Sequence, residues 1–167
     1  MRARIAALTV EQRQIASLQI LEKLTSLKEW HSARAIALFH PLAFEPDCVP
    51  LDLSAKAYCF PRVEGKELHF HFISNREHLK KGAFGILEPD AEKHLLAKLE
   101  DVGIVVVPGA AFDEQGNRLG KGQGFYDRVL STTLKNAFKV GVCFACQITE
   151  SIPQEPHDVR MNRVLFA

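Results

Sequence analysis

Residues 102–109, VGIVVVPG, place four β-branched side chains in a row from Ile104 to Val107 and stop at Pro108-Gly109. A strand with one wet face alternates apolar and polar residues, so a run without alternation belongs on a strand buried on both faces. That predicts a parallel strand with cover above and below it. Parallel neighbours in turn need long crossover connections, usually helices. The chain supplies candidates. Thr9–Leu27 carries Ile15, Leu18, Leu21 and Leu24 near helical spacing, and Thr9 with Gln12 three positions on fits a capping box. Phe125–Leu134 suits a second helix and Ala91–Leu99 a weakly amphipathic third, while residues 75–84 read as a short helix or turn.

Buried strands are expected at Ala33–Phe39, ended by Pro41, at Ala57–Phe60, stopped by Pro61, within FKVGVCFA, and at the terminal NRVLFA. In VEGKELHFHFI the apolar residues Leu68, Phe70 and Phe72 alternate after a turn signal, so a hairpin adds an antiparallel part to the sheet. Strands alternating with helices predict an α/β class: one three-layer domain over residues 1–167, with a mixed, largely parallel sheet flanked by helices.

The chain has 167 residues, a hydrophobic content of 47% and a formal net charge of +1. That length allows one domain with a real core. The balanced charge provides no global field for nucleic acid or an acidic membrane surface, so any positive patch is local. The apolar runs are too short to span a bilayer, and no signal-peptide pattern follows the first residues, so a cytoplasmic location is expected. Cys143 and Cys146 form a Cys-x-x-Cys inside an apolar stretch, with no second Cys or His pair at zinc-finger spacing. They read as buried structural thiols.

The chemistry concentrates in GNRLGKGQGFYDR, residues 116–128, where four glycines fall within nine residues. A Walker A loop fails, because no Gly-Lys-Ser/Thr stands at the required spacing, and Gly120-x-Gly122-x-Gly124 is not the dinucleotide fingerprint. Closely spaced glycines still let backbone N–H groups approach an anion, and the loop opens a predicted helix just beyond the carboxyl end of the strongest strand. Arg118 and Lys121 add positive charge. Asp127 is out of place beside a polyanion unless a divalent cation sits between them. The alternative is a glycine-rich turn with solvated basic residues. The position after a buried strand and the Arg-Lys-Asp combination favour a nucleotide-phosphate and Mg2+ site.

With its surroundings, VVVPGAAFDEQGNRLGKGQGFYDR closely resembles the signature of the 5-formyltetrahydrofolate cyclo-ligases, in outline P-G-x-x-F-D-x-x-G-x-R-L-G-x-G-x-G-[FY]-Y-D. The resemblance extends to LTVEQR, FPRVEGKELHF, FGILEP and CQITESIPQEPHDV, so it covers most of the chain. It implies a Rossmann-like fold related to the ribose-5-phosphate isomerase and CoA transferase architecture. It also implies an ATP- and Mg2+-dependent closure of 5-formyltetrahydrofolate to 5,10-methenyltetrahydrofolate. The implied partners are these two small molecules, with no nucleic acid or membrane, and the chain itself is expected to be a monomer or weak homo-oligomer.

By the same resemblance, Arg118 contacts ATP phosphates. Leu119, Gly120, Lys121, Gly122, Gln123 and Gly124 wrap the triphosphate and the reacting formyl group, and Lys121 and Arg118 carry the catalytic charge. Phe125 and Tyr126 shape the site, Asp127 and Asp158 match the magnesium aspartates, and Glu45 matches the glutamate that holds the pterin. His40 falls at a pocket position where the family usually has an apolar or aromatic residue. The family's Lys-x-x-x-Arg pair on the first helix aligns upstream of Met1, leaving Arg2 and Arg4 as basic residues there. A paralogue that binds folate or nucleotide without turnover is therefore the alternative. A different enzyme on the related fold is disfavoured, because neither of those architectures needs an ATP–Mg2+ loop of this type.

Overall fold

The capping box at Thr9 forms: its backbone N–H donates to Gln12 Oε1 at 2.8 Å, and Gln12 N–H donates back to Thr9 Oγ1 at 3.1 Å. These reciprocal bonds satisfy two otherwise orphaned donors and start the helix α2, Val10–Thr25. The computed structural model describes residues 1–82 and 85–167, so the last two residues of the 75–84 segment lie outside the described residues. Two short helices flank α2: α1 (Arg2–Ala6) before it and α3 (Lys28–Ser32) after it. The face that α2 buries is rotated from the expected one and shares only Leu24 with it as a fully buried residue. Ser17, Ile20 and Leu24 point inward, whereas Ile15 and Leu18 are exposed. Both stripes have helical spacing, and packing decided between them. Ser17 tolerates burial because its Oγ donates to Arg13 O and accepts from Asp47 N–H.

The main sheet has six strands: β1 (Ala35–Ala37), β2 (Ala57–Glu64), β3 (Glu67–Phe72), β6 (Val102–Pro108), β9 (Phe138–Cys143) and β11 (Arg163–Phe166). Their order is β11-β9-β6-β1-β2-β3, and every pairing is parallel except the β2–β3 hairpin. As its β-branched run requires, β6 sits inside the sheet. Ile104 and Val106 face a layer with Ile20, Leu24 and Trp30. Val105 and Val107 face the opposite layer with Leu130 and Leu134. Each such buried side chain contributes about 1.5–3 kcal/mol.

Leu130 belongs to α4 (Phe125–Ser131), shorter than the predicted Phe125–Leu134. A small sheet, β10-β7-β8, is built from β10 (Ile148–Thr149), β7 (Ala111–Asp113) and β8 (Arg118–Leu119). A pair, β4 (Lys80–Lys81) with β5 (Leu87–Glu88), completes the strands. Among the described residues no helix is long and apolar enough to cross a membrane.

Two local expectations fail for identifiable reasons. Pro61 does not stop β2, which continues to Glu64. Tyr58 O accepts from Ile73 N–H, so the hydrogen-bonding groups of Cys59 and Pro61 face β1 instead of β3. The β1–β2 ladder ends with Leu38 N–H donating to Cys59 O. Pro61, which has no N–H for the next rung, terminates that ladder and lets the chain after β1 leave the sheet. The predicted helix at Ala91–Leu99 does not form either. Its backbone serves the sheet edge: Phe72 N–H donates to Leu95 O, and Ala97 N–H donates to Phe70 O. Asp90 Oδ1 accepts from Glu92 N–H, closing the turn that redirects the chain.

Candidate active site

The carboxyl ends of β1 and β6 and the chain that leaves them border a cavity of about 380 Å³. One wall is the glycine loop and the start of α4, contributing Arg118, Gly120, Lys121, Gln123, Gly124, Phe125, Tyr126 and Asp127. The segment after β1 contributes Phe39, His40, Leu42 and Glu45. The apolar side comes from Pro61 and Val63 of β2, Leu68 of β3, and Ile86 and Leu87 around β5. Most residues singled out in the sequence thus meet in one place. The exceptions are Leu119, Gly122 and Asp158, which do not line the cavity. Leu119 and Gly122 are exposed on the outer side of the loop. Asp158 caps its own turn, with Oδ2 accepting from Glu155 N–H at 2.7 Å.

The charged residues pair, one pair within the glycine-loop wall and one across the cavity. Arg118 Nη2 meets Asp127 Oδ1 at 2.5 Å, and Nη1 donates to Pro108 O at 3.4 Å. The Arg118 side chain is 5% exposed, its guanidinium lies 5.8 Å from the Tyr126 ring centroid, and its Nε–H has no hydrogen-bond partner. A guanidinium at a cavity wall suits an anionic ligand. Lys121 and Glu45, 76 residues apart in sequence, form an ion pair between the glycine loop and the segment after β1. Glu45 Oε2 also accepts from Leu42 N–H at 2.8 Å, which leaves that side chain 6% exposed.

Burial holds two further groups at the cavity, Tyr126 and His40, neutral. It pushes the Tyr126 hydroxyl far above the usual tyrosine range, assisted by Glu45. Burial, with the Arg76 guanidinium nearby, pulls His40 below the ordinary histidine value, so the imidazole is uncharged at pH 7. His40 therefore presents a neutral polar ring. The Cys-x-x-Cys plays no part here: all four cysteines are free thiols, and burial pushes Cys143 up to about 12.

The backbone of the loop is shaped by glycines where nothing else fits. Gly124 caps α4 at φ 64°, and a Cβ there would lie 2.8 Å from Arg128 Nη1. Arg128 is fixed in turn, donating to Lys66 O at 2.6 Å and stacking over Phe125 at 5.2 Å. Gly116 has φ 88°, and a Cβ there would meet Met161 O at 2.5 Å. Gly116→Ala is expected to cost about 2 kcal/mol or more, lowering the thermal midpoint by roughly 4 °C or more. An unchanged melting curve would show that the turn has another conformation available.

Sequence reasoning missed Glu88 and most of the apolar wall. Glu88 is 3% exposed yet lines the cavity, and it packs so close to Gly82 that a Cβ there would overlap its carboxylate. Its signal was the Gly-Ile-x-Glu-Pro element, a carboxylate set among apolar residues. Arg2 also lines the cavity, carried there by α1, whose Ile5 is buried.

Whether Mg2+ suits this donor set can be judged from chemistry. Among the described residues no cluster of three or more His, Cys, Asp or Glu side chains could cage a metal. Mg2+ bound with a nucleotide does not need one, since a single carboxylate, phosphate oxygens and waters complete its shell. Asp127 on the cavity wall fits that role.

The architecture recurs in known proteins. A 5-formyltetrahydrofolate cyclo-ligase of Escherichia coli (strain K12) is 30% identical over 173 residues, 98% of this chain and 94% of that protein. One from Haemophilus influenzae is 40% identical over 88 residues, a match spanning 52% of this chain and 47% of that one. The NMR structure of Aquifex aeolicus 5,10-methenyltetrahydrofolate synthetase superposes with a TM-score of 0.86 at 34% identity, covering 98% of this chain and 84% of the other. The family model described as "5-formyltetrahydrofolate cyclo-ligase family" matches residues 1–167, glycine loop and opposing wall together. With the sequence signature and cavity above, this establishes that the chain belongs to the 5-formyltetrahydrofolate cyclo-ligase family.

Proposed function

We propose that the protein converts 5-formyltetrahydrofolate to 5,10-methenyltetrahydrofolate at the expense of ATP. The observation that carries this reading is the convergence of Arg118, Lys121 and Asp127 with Glu45 on one cavity that also has an apolar side, from Pro61, Val63, Leu68 and Leu87. A formamide oxygen is a poor leaving group. Transfer of the γ-phosphoryl group to that oxygen, with release of ADP, gives an iminium phosphate. The folate N10 then attacks the formyl carbon, the C–O bond breaks with phosphate departing, and N10 loses its proton as the ring closes.

The chain's task is positioning and charge stabilisation. Arg118, on the cavity wall, orients phosphate oxygens. Lys121 sits at the far end of the loop, within reach of the same charge. Asp127 on the cavity wall would hold Mg2+, which when bound neutralises charge on the phosphates; Asp158, which lies off that wall and caps its own turn, would contribute from the 151–162 loop. Glu45 accepts the paired N–H groups of the pterin edge, and the apolar wall with Phe125 covers the ring system and excludes water.

The test is the absorbance of methenyltetrahydrofolate when residues 1–167 meet 5-formyltetrahydrofolate, ATP and Mg2+. ATP-dependent product is expected. A folded sample that binds both ligands and yields none would overturn the reading in favour of a non-catalytic paralogue.

A further inference from the structure

Asp113 ends β7 with no exposed surface, and N–H groups hold its carboxylate. Asn117 N–H donates to Oδ1 at 2.8 Å, Asn117 Nδ2–H to Oδ2 at 2.8 Å, and Ile152 N–H to Oδ2 at 2.9 Å. Burial raises its pKa, yet these donors and the Gln115 N–H outweigh burial and hold the carboxyl below the usual carboxylate range. The group is therefore a buried anion, which costs several kcal/mol to desolvate and is replaceable by apolar packing when stability alone is needed.

What it joins gives that cost a purpose. The turn 113–117 leads directly into Arg118, while Ile152 belongs to the 151–162 loop that carries Asp158. Asn117 extends the connection: its Oδ1 accepts from Arg160 Nε–H at 3.1 Å and from Gln154 Nε2–H. Met161 N–H donates to Gly116 O at 2.8 Å. Neither Asp113 nor Asn117 lines the cavity.

We propose that Asp113 and Asn117 are a positioning pair that sets the glycine loop against the 151–162 loop and thereby the affinity of the site for a nucleoside triphosphate. The inference rests on the reading that Arg118 and Asp158 serve the nucleotide. The folate half depends on the segment after β1 and on the β2–β3 hairpin, which these bonds do not touch, so the pair acts on one ligand and not the other.

The variant Asn117→Asp keeps the shape and sets a carboxylate oxygen against Asp113 Oδ2 in place of the N–H. The ATP dissociation constant, measured by calorimetry with Mg2+, is expected to rise about tenfold or more. That for 5-formyltetrahydrofolate is expected to change less than twofold. Amide exchange should accelerate across residues 151–158 and stay unchanged in β6 and β9. Asn117→Ala carries the same expectation if the aspartate variant folds poorly. Equal loss of both affinities, tracking thermal stability, would show a merely structural turn and overturn the inference. So would unchanged ATP affinity in Asn117→Asp alongside weakened affinity in Asp158→Ala. Unchanged affinity in Asp158→Ala and Arg118→Ala would instead overturn the nucleotide reading beneath it, and the inference with it.

Discussion

Asp127→Ala is expected to reduce turnover about a hundredfold or more, the scale seen when a charge-stabilising group is removed from a preorganised site. Two effects act together. The variant loses the carboxylate proposed to hold Mg2+, and it strands Arg118, whose nearly buried guanidinium is set by the 2.5 Å contact with Asp127. Arg118 would then turn toward phosphate alone, so ATP affinity should fall much less than the catalytic rate. Asp127→Asn retains one oxygen for Arg118 but lacks the charge, and should be impaired nearly as much if the metal role dominates. The measurement is kcat at saturating ATP across a Mg2+ series, with circular dichroism as the folding control. Near-normal turnover at saturating Mg2+ would remove Asp127 from the metal role.

The second large effect is expected at Glu45. Glu45→Ala should weaken 5-formyltetrahydrofolate about 10- to 100-fold, the loss expected from one or two charge-assisted hydrogen bonds. ATP affinity should be nearly unchanged. Glu45 is paired with Lys121, so a pterin must displace that lysine to reach the carboxylate. Lys121→Ala is therefore expected to ease folate binding while lowering the catalytic rate, a split that separates the two partners of one ion pair. Equilibrium binding of each ligand checks both variants. An intact folate constant with lost ATP binding in Glu45→Ala would mean that the two half-sites had been assigned the wrong way round.

Much of this site was legible in the sequence because its signals are local. The β-branched run Ile104–Val107 needs cover on both faces wherever it lies, so an interior strand followed from composition alone. The capping box at Thr9, the two-residue hairpin turn at Gly65-Lys66 and the glycine loop opening α4 each depend on residues a few positions apart. Glu45 and Lys121 were individually recognisable, each by its own motif.

Other features depended on neighbours distant in sequence. The periodicity of α2 allows two stripes that share Leu24, and only packing against the sheet selected Ser17 and Ile20 over Ile15 and Leu18. Pro61 reads locally as a strand stop, but it lies where β1 departs and no donor is required. Ala91–Leu99 reads as a weak helix, but its carbonyl and N–H groups are used along β3. The ion pair Lys121–Glu45, the buried Glu88 and the bond from Ile152 N–H to Asp113 all follow from strand order. The sequence by itself determined which residues carry charge, backbone freedom and apolar cover. The tertiary structure decided which of those charges meet, because the sheet sets the distance between segments tens of residues apart, and Coulomb and hydrogen-bond energies depend on that distance.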